Sequence, residues 1–156
     1  DVKPKKKTKK KDVDWWYRKN KAGQLELKSL TWDVYRYVIG ENSIEMKYGA
    51  GMKIDNKRRE RLNIPDREQV YMIIDEKVLS TYANGFAICK NAFYFINDKK
   101  KEGRIEWERY MACTIREGSK YLDIDGNRFC LGSKCSNVVM MLQELQMKIC
   151  KAYNKI

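Results

Sequence analysis

The chain has 156 residues, a length that suits one globular domain with or without a short extension. Its residues are 43% hydrophobic and 12% aromatic, enough to bury a core. Lys and Arg number 33 against 21 Asp and Glu, and the resulting charge of +12 favours anionic partners. The chain contains no histidine, which excludes histidine-based catalytic triads, histidine metal ligands and imidazole acid–base catalysis.

The cysteines indicate a reducing, cytoplasmic environment. There are five of them, an odd number, and no two are spaced as a CxxC pair. Most lie among apolar residues, so we expect small buried side chains rather than disulfides or a zinc site. The sequence contains no apolar run of the roughly 20 residues that a bilayer requires. Because it opens without Met, in a lysine-rich stretch, we expect a piece of a larger protein.

Residues 1–11 form a lysine-rich tail. Seven lysines and one aspartate give it about half of the total charge, and apart from lysine it has no side chain larger than valine, so it cannot build a core. The composition predicts a disordered tail or linker. It is also compatible with an electrostatic arm for nucleic acid or for acidic membrane.

Residues 12–63 carry N-terminal strands or helices that form either a separate unit or part of the following domain. Trp32 to Ile39 fits a helix or a strand, since Val34 and Val38 have helical spacing while Trp32 and Val34 also alternate. Asp55 to Asn63 begins with good N-cap residues and stops before Ile64-Pro65. This second segment is predicted to form a short, exposed, basic helix.

Residues 64–156 read as successive strands followed by a helix. The predicted segments are a strand at 69–74, two strands at 85–89 and 92–96 joined by a Lys90-Asn91 turn, a loop at 97–103, a strand through Ile105, Trp107 and Arg109, a hairpin at 121–131 around Asp125-Gly126, and an amphipathic helix at 136–153. Strands followed by a terminal helix predict an α+β domain: an antiparallel β-sandwich or partly open barrel capped by the C-terminal helix.

Several motifs between Ile64 and Tyr153 resemble those of a bacterial pleckstrin-homology-like domain. They are Ile64-Pro65-Asp66-Arg67-Glu68, then Gly85-Phe86-Ala87-Ile88-Cys89 with Tyr94-Phe95, then Ile105-Glu106-Trp107-Glu108, followed by the Asp125-Gly126 turn and the terminal helix. The resemblance implies a bent sandwich of seven strands that binds proteins, peptides or phosphoinositide headgroups. The segments above contain fewer strands, so the others are expected within 15–48 or 112–116.

The first candidate site is the basic loop Lys99-Lys100-Lys101 with Arg104. Lysine and arginine side chains on a loop between strands suit phosphate binding, as in lipid-binding members of the class that the chain resembles. Asp98 and Glu102 flank the lysines and lower the local potential. A solvated hairpin tip, with lysines that discourage aggregation, explains the same residues.

A second basic set suggests nucleic-acid binding as the alternative function. Its members are Lys57, Arg58, Arg59 and Arg61 on the predicted helix, and Trp15 and Tyr17 beside basic residues near the N-terminus. Aromatic and basic side chains together can stack on unpaired bases and contact phosphates. A solvated helix face and core aromatics explain them equally well.

The sequence offers little for catalysis. The carboxylate pairs Glu106/Glu108 and Asp123/Asp125 fit ordinary strand alternation and turns, and no phosphate-binding or nucleophile motif is present. We therefore expect no enzyme, no catalytic residue, no metal, no cofactor and no small-molecule substrate. The expected function is a non-catalytic binding module that docks a larger protein to a protein partner or an acidic membrane surface.

Overall fold

The computed structural model describes residues 27–39, 44–46, 56–75, 84–131 and 135–154. The lysine-rich tail, Trp15 and Tyr17 lie outside these ranges, so the predictions made for them are not addressed by the structure. Four helices lie in the described part of the chain: α1 (Leu27–Tyr35), α2 (Asn56–Leu62), α3 (Trp107–Tyr110) and α4 (Cys135–Asn154). The same ranges contain eight strands: β1 (Ile44–Met46), β2 (Val70–Asp75), β3 (Gly85–Cys89), β4 (Ala92–Ile96), β5 (Glu102–Glu106), β6 (Ile115–Gly118), β7 (Tyr121–Ile124) and β8 (Asn127–Phe129).

The strands form two antiparallel sheets. Strands β1 to β5 make a five-stranded sheet and β6 to β8 a three-stranded sheet, each in the order of the sequence. The predicted α+β class, with antiparallel sheets and a C-terminal helix, is confirmed. Within the described ranges the sheets remain separate hydrogen-bonded units and do not close into one barrel.

Both predicted turns connect hairpins as expected. Lys90 and Asn91 join β3 to β4, and Asp125 and Gly126 join β7 to β8. Asp125 and Gly126 have φ angles of 52° and 87°, the positive values that a two-residue hairpin turn of this type requires. Trp32, whose segment fitted either a helix or a strand, lies in α1.

The predicted strand through Ile105, Trp107 and Arg109 is wrong beyond Glu106. Strand β5 begins earlier, at Glu102, and the chain then turns once as α3. Trp107 donates its indole N–H to the Cys89 carbonyl (3.0 Å), and Tyr110 donates its hydroxyl to the Leu142 carbonyl (2.7 Å). Because residues three apart share a helix face, the turn buries both rings and leaves Arg109 exposed.

One hydrophobic core is shared by the two sheets, α1, α3 and α4. Strands β3 and β4 contribute Phe86 and Phe93, whose rings stack with centroids 4.7 Å apart. Helix α4 contributes the predicted apolar stripe, including Leu142 and Leu145, and α1 contributes Leu30. The first described helix therefore packs on the same core as the strands.

A smaller apolar cluster lies on the outer face of the five-stranded sheet. Leu62 of α2 and the following Ile64 belong to it, together with strand residues such as Ile73 and Tyr94. Strand alternation explains the division, since neighbouring side chains point to opposite faces of the sheet. The basic helix α2 is confirmed, but the prediction that it is exposed is wrong at Arg58 and Leu62, which are both buried.

Candidate anion-binding surface

The three lysines of the first candidate site are exposed on the turn between β4 and β5. The Asn97 side chain organises this turn, because its Oδ1 accepts hydrogen bonds from the backbone N–H groups of Lys99 (2.9 Å) and Lys101 (3.1 Å). Lys100 between them has a φ of 62°, in the left-handed region. The lysine turn, defined as residues 97–101, therefore has a fixed backbone although its lysine side chains reach into solvent.

Two hydrogen bonds fasten the lysine turn to the three-stranded sheet. Asn97 donates its side-chain amide to Asn127 Oδ1 (3.1 Å), and the Asp98 N–H donates to the Arg128 carbonyl (2.8 Å). The backbone of the lysine turn consequently lies beside Arg128, a residue that is distant in sequence. Asp98 and Glu102 are the acidic residues of the turn and of the strand that follows it, and Asp123 on β7 is the cross-strand neighbour of Arg128.

The Tyr121 ring, which lies on the three-stranded sheet, supports the Arg128 guanidinium. The Arg128 guanidinium carbon lies 3.9 Å from the centroid of the Tyr121 ring, within cation–π distance. The ring in turn covers Gly118, where a Cβ atom would approach a ring carbon to 2.0 Å. Glycine at this position lets the ring lie flat on the sheet, and the ring holds the guanidinium above it.

Arg104, the fourth residue of the predicted set, is engaged elsewhere. Its guanidinium donates to Glu106 Oε1 (3.3 Å) and to the Tyr94 hydroxyl (3.4 Å), and it lies 5.4 Å from the centroid of the Tyr94 ring. Tyr94 belongs to the cluster on the outer sheet face. The structure therefore places the backbone of the lysine turn beside that of Arg128, whereas the Arg104 guanidinium contacts Tyr94 and Glu106.

The basic residues of α2 divide into different environments. Lys57 is exposed, whereas Arg58 is buried. Arg59 donates to the carbonyls of Pro65 (2.9 Å) and Glu68 (3.3 Å), which fastens the segment after the helix. Arg58 and Arg61 line a cleft against the sheet. Of the four residues predicted for nucleic-acid contact, Arg59 thus serves the packing of its own loop.

Glu68, the last residue of the Ile64-Pro65 motif, forms a buried polar network. Its carboxylate accepts hydrogen bonds from the Asn91 backbone N–H (3.3 Å), the Asn91 side-chain amide (2.9 Å) and the Tyr94 hydroxyl (3.1 Å). Burial and the neighbouring Glu68 carboxylate raise the pKa of Tyr94 to about 12. Burial also raises the pKa of the Cys89 thiol. This network joins the motif to the β3–β4 hairpin.

The carboxylate pairs considered for catalysis have structural contacts. Asp125 accepts a hydrogen bond from Arg109 (2.8 Å), which links the β7–β8 turn to α3, and Asp123 accepts one from the Gly126 N–H (2.9 Å) within that turn. Among the residues that the structure describes, no group of three or more His, Cys, Asp or Glu could hold a metal ion. The helices in these ranges are all too short or too polar to cross a membrane.

Sequence reasoning missed Asn97, Asn127, Tyr121 and Arg128. Asparagine at the start of a turn is a local signal, because its side chain can accept hydrogen bonds from the next backbone N–H groups. The position of Arg128 beside the turn depends on how the two sheets pack, and no local pattern encodes it. Comparison of the chain with family models, curated proteins and solved structures finds no match.

Proposed function

We propose that the chain is a non-catalytic binding module of the pleckstrin-homology-like class, and that it docks a larger protein to an acidic surface through the lysine turn and Arg128. The order of elements supports the class. Strands β2 to β5, strands β6 to β8 and then helix α4 give seven strands and a terminal helix, the order that the sequence resemblance implies. Strand β1 and helices α1 and α2, which precede that order, and the single-turn helix α3 between β5 and β6 are additions to it.

The observation that carries the proposal is the fixed backbone of the lysine turn. Asn97 and Asn127 set the turn in place before any ligand arrives, so binding need not order the backbone. Each lysine or arginine near an acidic membrane contributes about 1 kcal/mol of attraction. The acidic surface is a membrane leaflet or the acidic face of a protein partner, and the experiment below separates these.

Nucleic-acid binding is the second candidate function. Two of the four basic residues of helix α2 that were predicted to contact phosphates are less suited to do so. Arg59 hydrogen-bonds to backbone carbonyls and Arg58 is buried, which leaves Lys57 and the partly exposed Arg61 of the predicted helical set for phosphate contact. Polyelectrolyte binding through such residues falls steeply as salt increases. A salt series with single-stranded and duplex DNA therefore belongs in the same experiment.

The test compares two triple variants of equal charge in the full chain. Lys99→Gln/Lys100→Gln/Lys101→Gln removes the lysines of the turn, and Lys5→Gln/Lys6→Gln/Lys7→Gln removes three lysines of the tail. Sedimentation with phosphatidylcholine vesicles, with and without phosphatidylserine, measures partitioning. We expect the turn variant to lose roughly 100-fold in partitioning, from about 1 kcal/mol for each of three lysines held at the membrane. The tail variant should lose much less, because the proposed docking surface does not include the tail lysines.

Other outcomes lead to different conclusions. Equal losses in the two triple variants would show that only total charge matters and would remove the lysine turn from the proposal. DNA binding with a steep salt slope that the turn variant retains would favour the second candidate. If the unsubstituted chain binds neither vesicles nor DNA, both membrane docking and the second candidate are rejected, and only docking to an acidic protein is left to test.

A further inference from the structure

Within the described ranges, the large hydrophobic side chains that remain exposed all lie on two helices or directly after one of them. Trp32 lies on α1 and Ile39 in the turn that follows it, and Met140 and Met147 lie on α4. Each is at least 45% exposed. Single apolar side chains on a surface are ordinary, whereas a contiguous group of them marks an interaction site. The question is therefore whether these side chains form one surface.

On α1 the exposed residues form an aromatic and basic stripe. Trp32 and Arg36, which lies just past the end of the helix, are one turn apart and share a face. The Trp32 ring stacks with the Tyr35 ring at a centroid distance of 5.7 Å, and Trp32 also has a further interaction within the chain. On the opposite side of the helix, Leu27 and Leu30 are buried in the core. The stripe thus faces solvent on a helix that the core holds in place.

On α4 the exposed methionines belong to a second stripe. Met140, Glu144 and Met147 are spaced by four and three residues, so they share a face and span two helical turns, about 10 Å. Helix α1 packs against α4. The pKa of the Arg36 guanidinium is raised first by Tyr37 and also by Glu144, so the two stripes are neighbours. Together they form one surface, the α1–α4 face, which consists of Trp32, Tyr35, Arg36, Met140, Glu144 and Met147.

The composition of the α1–α4 face is typical of a protein interface. Tryptophan, tyrosine, methionine and arginine are the side chains in which the centres of such interfaces are enriched, and the face contains all four. Methionine side chains also adapt their shape to a partner. A bilayer suits the face less well, because the Glu144 carboxylate between the methionines would lose its water to hydrocarbon.

The charges of the two helices favour an acidic partner. Between residues 27 and 36 and along α4, four charged side chains are basic and two are acidic: Lys28, Arg36, Lys148 and Lys151 against Asp33 and Glu144. A second copy of the chain would bring these basic side chains against one another. An acidic partner is attracted instead, and the net charge of +12 adds to the attraction at long range.

We propose that the α1–α4 face binds an amphipathic helix of a partner protein, with acidic residues along the borders of its apolar stripe. Trp32, Met140 and Met147 pack against that stripe, and the basic side chains of α1 and α4 pair with the acidic borders. Methionines two turns apart match the apolar side chains of a helix, which recur at i, i+3, i+4 and i+7. This site goes beyond the docking role of the lysine turn and uses none of its residues, so either site can fail alone.

Fluorescence anisotropy with labelled, acetylated and amidated peptides tests the face in the full chain. The probe is three repeats of the heptad Leu-Glu-Ala-Leu-Leu-Glu-Glu, which places the leucines on one helix face and glutamates beside them. One control peptide has the same composition in an order that spreads the leucines around the helix. The other has lysine in place of every glutamate.

The variants remove one property of the face at a time. Met140→Gln/Met147→Gln removes the apolar side chains of α4, and Met140→Leu/Met147→Leu is its conservative counterpart. Arg36→Gln removes a guanidinium from the face, and Arg116→Gln removes an exposed one from the three-stranded sheet. Far-ultraviolet circular dichroism confirms that each variant folds.

We expect the probe to bind at least about tenfold more tightly than either control peptide. The double glutamine variant should weaken the probe about tenfold, and the double leucine variant should change its Kd by less than about threefold. Arg36→Gln should weaken the probe about fivefold, and Arg116→Gln by less than about twofold.

The proposal is overturned if the probe and the peptide with scattered leucines bind equally, or if Arg36→Gln and Arg116→Gln have equal effects. It is also overturned if the double glutamine variant loses vesicle binding with an unchanged probe Kd, because the face would then serve lipid. A dimer in analytical ultracentrifugation that this variant abolishes would assign the face to a second copy and refute the partner helix.

Two further outcomes separate this site from the lysine turn. Loss of vesicle binding in the lysine-turn variant, with an unchanged probe Kd, would support two separate sites. Vesicle binding without any binding of the probe would refute the partner helix and leave the docking proposal standing.

Discussion

Glu68 shows how a single buried charge can organise a loop. Its side chain is 6% exposed, and its carboxylate accepts hydrogen bonds from Asn91 and Tyr94. Arg59 holds the same segment through the Glu68 backbone carbonyl. A buried carboxylate is tolerated only when such donors replace water, so the network and the position of the segment depend on each other.

Removing the Glu68 carboxylate should therefore be costly. Glu68→Ala leaves the donors of Asn91 and Tyr94 without their acceptor, and we expect the free energy of unfolding to fall by about 2–4 kcal/mol. Urea denaturation measures this loss. Glu106→Ala removes an exposed carboxylate that pairs with Arg104, and it should change stability by less than about 0.5 kcal/mol. Equal effects of the two substitutions would contradict the assigned network.

The buried tyrosine and cysteine side chains also predict a loss of stability at alkaline pH. The pKa of Tyr94 rises from an ordinary 10.0 to about 12, so folding favours its protonated form. That contribution is complete below the unfolded pKa of 10 and is lost as the pH rises toward 12. The raised pKa values of the Cys89, Cys113 and Cys135 thiols, due first to burial, add to the same trend from about pH 9.

Urea midpoints measured from about pH 8 to pH 11 test this trend. We expect the midpoint to fall as the pH rises. Tyr94→Phe should be less stable than the original chain at neutral pH, since it loses the hydrogen bond to Glu68, but should show a shallower decline above pH 10. An identical decline in both proteins would show that Tyr94 does not titrate as described.

At the scale of elements, the sequence predicts the turns and helices that depend on residues close together in the chain. Asp125-Gly126 adopts the positive φ angles of its turn, and the stripe of α4 faces the core as its spacing indicates. The strand predicted through Arg109 failed because alternation alone cannot reveal that Trp107 bonds to Cys89 and Tyr110 to Leu142. Those partners are distant in sequence, and their contacts override the local pattern.

Two glycines in strands should differ in their tolerance of a methyl group. A Cβ on Gly103 would lie 2.5 Å from a carbon of Phe95, whose ring is buried and packs edge-on against Phe129. A Cβ on Gly118 would meet the Tyr121 ring, which is partly exposed and can swing outward. We expect Gly103→Ala to cost about 2–3 kcal/mol and Gly118→Ala about 1 kcal/mol or less.

Thermal or urea unfolding of both glycine variants checks this order. The reverse order would mean that the Tyr121 ring is held more firmly than the Phe95 ring. Both substitutions also remove the flexibility of glycine from the unfolded chain, which favours the variants slightly and equally. The difference between them therefore reports the two aromatic contacts.

At the scale of the whole molecule, helix α1 is the described element about which the sequence predicted least. Its partner could not be inferred, because an apolar stripe does not specify which surface covers it. The structure places Leu27, Leu30 and Val34 in the core shared with α4. The lysine turn was identified from its charge, whereas its neighbour Arg128 was not, because the packing of one sheet against the other decides which turns meet.

The shared core predicts that α1 unfolds together with the sheets. Leu30→Ala should lower the free energy of unfolding by about 2–4 kcal/mol and keep a single transition by fluorescence and circular dichroism. Met147→Ala, at a position of α4 that is 53% exposed, should change it by less than about 1 kcal/mol. An early, separate transition in Leu30→Ala would show that α1 is an independent unit.

The layered arrangement of Gly118, Tyr121 and Arg128 gives the protein a spectroscopic reporter. One α-proton of Gly118 points at the face of the Tyr121 ring, where a Cβ would stand, so its NMR signal should appear upfield of ordinary glycine resonances. The ring itself lies beneath the Arg128 guanidinium. If an anion draws this guanidinium away and the ring moves, we expect that signal to shift downfield. Anion binding at the basic surface can thus be read from one proton without a label.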